Sequence, residues 1–177
     1  MRLVSEEFGH GTIETLMTAP LSDTQMVLGK YLGGLVFLIL TLAWLLVPVI
    51  AMLFVSRPDF GPIFTGLLGM LLVGSLFLAI GLFASCMTSN QIIAFILGIF
   101  MILPLVLADL MGDVVNRVSL PHWLEWIRPT VLYIGIFSQV EGLVRGVFNL
   151  ASLVYFISGI AMFLFLAVKV IESRRWR

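Results

Sequence analysis

Charge, cysteine and histidine are all scarce in this chain, and each shortage removes a class of function. Only 11% of its 177 residues are charged, and the 10 Lys+Arg balance the 10 Asp+Glu to a net charge of zero. With no basic stripe anywhere, a nucleic-acid partner is not expected, because phosphate recognition needs clustered positive charge. The single cysteine, Cys86, leaves no intramolecular disulfide framework and no thiolate metal cluster. Its apolar neighbourhood marks it as a small packing residue. His10 and His122 are far apart and have no companion at ligand spacing, so no metal site is expected. A phosphate-binding loop is missing too: Gly29-Lys30 is followed by Tyr31 and lacks the upstream glycine. No His, Asp or Ser constellation stands at catalytic spacing inside the apolar runs, which disfavours an intramembrane enzyme.

What the chain has instead is hydrophobicity, 60% of its residues at a mean hydropathy of +1.13. No globule of this size could hide so much apolar surface, so lipid must be part of its solvent. Four runs read as spanning helices: Tyr31–Val55, Gly61–Met87, Ile92–Ala108 (full length only with Leu110 and Met111) and Leu150–Ile171. The first run would be about 37 Å long as a helix, more than the roughly 30 Å hydrocarbon layer, so tilt or a kink at Pro48 is expected. Pro104 lies inside the third run, where neighbours can satisfy the freed carbonyl. Lys169 is placed to snorkel at the end of the fourth. Continuous runs of this length exclude a membrane β-barrel, whose strands alternate. The fold class is therefore all-α, a polytopic membrane helical bundle forming a single domain over 1–177.

The connections differ in character. Ser56–Phe60 and Thr88–Gln91 are short, whereas 109–149 is long and mixed. Within it, Gln139, Glu141 and Arg145 make Pro129–Phe148 a poor fifth span, and short interfacial helices fit better. Glu141 and Arg145 are spaced to pair along one helix face. Asp109, beside Asp113, reads as a boundary residue that reaches headgroups or water, with a proton-relay role as the alternative. Small residues four apart, at Gly29/Gly33, Ala94/Gly98 and Gly142/Gly146, permit close helix approach. Trp123, Trp126 and Trp176 suit interfacial belts, and 122–126 reads as a helix lying along the membrane. Arg2 and Lys30 flank the first span; Lys169, Arg174, Arg175 and Arg177 flank the last. Four crossings put both groups on one side, which the positive-inside rule makes cytoplasmic, leaving 109–149 outside. The N-terminus has no positive-then-apolar leader pattern, so the first run is an anchor.

One polar segment precedes all of this. In residues 6–20, Ile13, Leu16, Met17 and Pro20 fall on one apolar face, with Glu14 and the threonines at 12, 15 and 18 off it. Gly11 and Pro20 punctuate its ends. Ser22-Asp23-Thr24-Gln25 then matches a capping box, which predicts a second helix running into the first span. Surface anchors for anionic lipid are rich in Lys and Arg. This segment carries Glu6, Glu7 and Glu14 instead, which suits a basic protein partner.

The string Glu6-Glu7, Gly11-Thr12-Ile13-Glu14-Thr15-Leu16, Ala19-Pro20-Leu21-Ser22 and Gly29-Lys30 resembles the cytoplasmic stretch of ABC type-2 transporter permeases, in particular the gliding-motility-type branch. The resemblance implies that residues 1–29 form a cytoplasmic coupling segment and 30–177 the transmembrane bundle. A coupling helix would dock on a nucleotide-binding ATPase subunit through Glu6, Glu7, Gly11, Thr12, Glu14, Leu16, Met17 and Pro20. It further implies a second permease chain, identical or not, a plasma-membrane location with both termini cytoplasmic, and export as the direction. ATP and Mg would be used by the partner, with no cofactor on this chain. Members of the family carry two further spans ahead of this stretch, so the sequence is expected to be an N-terminally truncated permease. A non-transporting membrane scaffold, holding a partner through the same acidic helix, is the competing class.

Overall fold

The computed structural model describes residues 22–54, 59–117 and 133–175, with the backbone alone at 111–117 and 174–175. These residues form helices α1 (Asp23–Trp44), α2 (Leu46–Leu53), α3 (Phe60–Met87), α4 (Gln91–Arg117), α5 (Ile136–Val144) and α6 (Leu150–Arg175). Four stretches are long and apolar enough to cross a membrane: Asp23–Leu53, Phe60–Met87, Gln91–Leu110 and Leu150–Ser173. The four runs read from the sequence are all present, and the chain is a multi-pass membrane protein with an all-α bundle.

The capping box forms as the sequence predicts. Ser22 Oγ accepts from the Gln25 amide at 3.3 Å, and Gln25 Oε1 accepts from the Ser22 amide at 3.0 Å. Two orphan donors are thereby satisfied, and α1 begins a full two turns before the apolar run at Tyr31. The break in the first span falls at Leu45, just ahead of Pro48 rather than at it. Proline has no N–H for the carbonyl four residues back, that of Trp44, so the helix is interrupted on the N-terminal side of the ring. Elsewhere, Asp59 caps α3 by accepting from the Gly61 amide at 3.0 Å, and Asn90 caps α4 by accepting from the Ile92 amide at 2.9 Å. Pro104 is accommodated within α4, which continues to Arg117, well past the apolar run.

The third helix in this order is the hub: α3 packs against α1, α4, α5 and α6. Two buried clusters fix the alternation of helix directions. One joins Val27 and Tyr31 of α1 to Ala79, Leu82 and Cys86 of α3 and Ala167, Val168 and Ile171 of α6. The start of α1 and the ends of α3 and α6 therefore lie at one end of the bundle. Cys86 is fully buried there, a packing residue as its surroundings suggest. The other cluster joins Leu76 and Ile80 of α3, Ile136 of α5 and Phe156 of α6, with Met101, Ile102 and Leu105 of α4 packed on it.

Close approach of α1 and α3 depends on a reciprocal pair of glycines. A Cβ at Gly34 would lie 2.8 Å from a Leu78 methyl, and a Cβ at Gly74 would lie 2.8 Å from a Leu38 methyl. Each leucine thus fills the space that the facing glycine leaves, an antiparallel knobs-into-holes contact made by small residues. The pair expected from spacing, Gly29/Gly33, has nothing within 4 Å of either position. Ala94 and Gly98 are both buried on α4, in keeping with their small-residue spacing. The outward side of α1 is apolar as well: Leu32, Val36, Phe37, Leu40 and Trp44 are all exposed. A helix apolar all round belongs in hydrocarbon.

Candidate functional site

Polar side chains gather at the end of the bundle away from Ser22, where α4 finishes, α5 lies and α6 begins. The short helix α5 forms because Gln139, Glu141 and Arg145 would be too costly to carry across hydrocarbon. Its C-terminus is a Schellman turn: the Gly146 amide donates to Leu143 O at 3.1 Å and the Val147 amide to Gly142 O at 2.9 Å. Gly146 has φ +86°, the left-handed conformation that this turn requires at the residue after the cap. Gly142 and Gly146 therefore sit at a helix end, where Gly146 also lets the turn approach Pro62 of α3, whereas Gly142 faces no neighbouring helix. Glu141 and Arg145 form the ion pair that their spacing predicts, both largely exposed.

The N-terminus of α5 is held from another helix. Asp109 Oδ2 accepts from the Phe137 amide at 2.8 Å. Asp109 Oδ1 accepts from the Ser138 amide at 2.9 Å and from the Ser138 hydroxyl at 2.6 Å. These two amides are the ones an N-cap side chain would normally satisfy, and a carboxylate also matches the positive end of the helix dipole. The N-cap residue of α5 is Gly135, which has no side chain to do this. A Cβ at Gly135 would overlap the Asp109 carboxylate. Asp109 stands at the end of the third span, the boundary position expected of it, and its oxygens are turned onto α5.

A second set of bonds joins α5 to α6. The Ser152 hydroxyl donates to Gln139 Oε1 at 3.1 Å, and Gln139 Nε2 donates to Tyr133 O at 3.1 Å. Ser152 is buried, so this bond meets its need for a partner. Tyr155 OH donates to Ile134 O at 2.7 Å, while the Tyr133 and Tyr155 rings meet edge to face at 5.8 Å. Beneath Ile134 and Tyr155 lies a cavity of about 470 Å³, walled by Leu76, Leu105, Met162 and Phe163. Its lining is apolar apart from Tyr155 and Ser158, whose hydroxyls bond to Ile134 O and Tyr155 O. Nothing in it is arranged to activate a nucleophile or to protonate a leaving group. Among the described residues, no group of three or more His, Cys, Asp or Glu could hold a metal ion.

The opposite end carries Lys169, which pairs with Glu172 at 2.6 Å and lies 5.6 Å from the Phe165 ring centroid. All eight residues expected to contact an ATPase, Glu6, Glu7, Gly11, Thr12, Glu14, Leu16, Met17 and Pro20, lie outside the described residues, as do Trp123, Trp126 and Trp176. What the structure gives is their attachment point, because only Leu21 separates Pro20 from the capping residue Ser22. Sequence reasoning missed the Asp109–α5 joint. The available signal was a helix beginning Gly135-Ile136-Phe137-Ser138 with no capping side chain of its own.

Residues 3–142 match the family model described as ABC-2 type transporter. The match runs from ahead of the acidic segment, through the first three spans, into α5. No curated protein and no solved structure matches the chain.

Proposed function

The chain belongs to the ABC-2 type transporter family and is a membrane-spanning permease component, and from that premise we propose that it couples ATP hydrolysis in a separate nucleotide-binding subunit to the export of a cargo. The Ser22 end of the bundle is the cytoplasmic end, at the plasma membrane, and the α5 end faces out. Two permease chains line the path, because four spans from one chain enclose little.

The observation that carries this reading is mechanical continuity. The acidic amphipathic segment leads, with one intervening residue, into a helix whose first turn is fixed by a reciprocal capping box. Four to eight residues further on, Val27 and Tyr31 are locked among the ends of α3 and α6. A push on the segment at 12–19 is therefore delivered to three spans at once. For that push to shift the bundle, the segment must interact differently with the two nucleotide states of its partner.

The test is co-purification of the full chain with an ATPase subunit, together with ATPase rates in lipid. Glu14→Lys and Leu16→Asp should each abolish co-purification and the stimulation of ATPase activity. Both variants behaving like the parent would overturn the reading. Binding without any change in ATPase rate, in the parent chain, would favour a scaffold.

A further inference from the structure

The geometry points to Asp109 as a positioning residue: by supplying the N-cap of α5 from the end of α4, it locks the two helices into one body. Two observations support this. The carboxylate engages both amides of the α5 N-terminus and the Ser138 hydroxyl as well, at 2.6–2.9 Å. The residue that should cap α5 locally is glycine, and its missing side chain is the space the carboxylate fills. The two features are complementary: an ordinary N-cap residue at 135 would exclude Asp109, and without Asp109 the helix would start uncapped.

The bonding around α5 is also asymmetric. On the α4 side it is charge-assisted, and bonds of that kind are roughly twice as strong as neutral ones. On the α6 side, the Gln139–Ser152 and Tyr155–Ile134 bonds are neutral. A displacement of α4 is therefore carried to α5, and with it to Ile134, which lines the apolar cavity. That functional consequence rests on the transporter reading; the joint itself does not.

A purely local role, stabilising α5 as a helix, is separable by moving the cap. In Asp109→Ala the α5 amides lose their acceptor. In Asp109→Ala/Gly135→Asp the acceptor returns on α5 itself, where the overlap has been removed, but the tie to α4 does not. Asp109→Asn keeps the size and leaves a single acceptor oxygen for three donors. The measurements are amide exchange at Phe137 and Ser138, and the spin–spin distance between nitroxides at Leu107→Cys on α4 and Val144→Cys on α5. They are made on the full chain in lipid nanodiscs, with the buried Cys86 left in place and the chain without added cysteines as the labelling control.

In Asp109→Ala, exchange at the two amides should rise about tenfold or more, and the distance distribution should lose its single narrow maximum. The double variant should restore the exchange protection and keep the broadened distribution, with Asp109→Asn intermediate in both. A double variant with the parent's narrow distribution would show the carboxylate to be only a helix cap. A narrow distribution in Asp109→Ala would show that α3 packing alone holds α5. Either result overturns the proposal. If Asp109→Ala does not fold, Asp109→Asn and the double variant give the same decision. No ATPase or cargo enters these measurements, so their failure is distinguishable from failure of the transporter reading.

Discussion

Leu38 of α1 seats a methyl where a Cβ on Gly74 of α3 would lie, 2.8 Å away. One turn earlier the relationship is inverted, with Gly34 receiving Leu78. In lipid there is no hydrophobic force to bring two apolar helices together, so this shape match, with the buried cluster around Val27 and Tyr31 and the Tyr31 OH bond to Ser75 O at 3.4 Å, packs α1 on α3. Gly74→Leu should lower the melting temperature in detergent, because overpacking costs about 1–3 kcal/mol. Leu38→Ala in that background should recover part of the loss, since residues in contact couple by about 0.5–3 kcal/mol. Independent, additive losses would show that the two side chains do not share one space. Gly74→Ala should be milder, because only the flexible tip of Leu38 has to move.

The start of α1 is held by the Ser22–Gln25 box. Ser22→Ala should destabilise the helix start by about 1 kcal/mol and Ser22→Gly by a few tenths. The readout is amide exchange at Gln25 and Met26, which should quicken in the first variant and hardly change in the second. Where an ATPase partner is present, Ser22→Ala should also weaken ATPase stimulation, because the push would be absorbed by a fraying turn.

At the other end, Gly146 sits at φ +86° with its Cα facing Pro62. A Cβ there would meet Pro62 Cγ at 3.2 Å, and a non-glycine residue in left-handed conformation costs about 1–2 kcal/mol. Gly146→Ala should therefore lower the melting temperature, and Gly146→Asn should be better tolerated, since Asn adopts this conformation more readily. Equal behaviour of the two variants would argue against a Schellman turn at this position.

Orientation is open to a direct labelling measurement. A cysteine placed at Glu14 and one placed at Arg145 should react with a membrane-impermeant maleimide from opposite faces of the membrane, the first in inverted vesicles and the second in intact cells. Native Cys86 is fully buried and provides a low background. Labelling of both positions from one face would mean an even number of crossings between them, or a reversed segment before Ser22.

The spans could be read in advance because continuous apolar runs of this length have few other fates. The box at Ser22 and the shortness of α5 were legible for an equally local reason. A cap needs residues three apart, and a polar triplet such as Gln139, Glu141 and Arg145 vetoes a crossing. The glycine contacts were not legible. A helix that is apolar all round carries no moment to say which face is inward, so Gly29/Gly33 and Gly34/Leu38 were indistinguishable until α3 was in place. Gly142/Gly146 illustrates the same ambiguity, since one spacing serves both for helix approach and for helix termination. Asp109 was hidden by distance: the amides that it caps are 28 and 29 residues away, and a cap donated by another helix leaves no mark on the helix that receives it except the absence of its own.

The interruption at Leu45 divides the first span into unequal arms. The lower arm, α1, is gripped by α3 and α6, whereas the upper arm, α2, makes its main contact with α1 alone. The packing of the first span on its neighbours is thus concentrated below the break, ahead of Pro48. The upper arm has the fewest ties to the rest of the bundle, so of the two arms it is the one whose slant the other helices fix least.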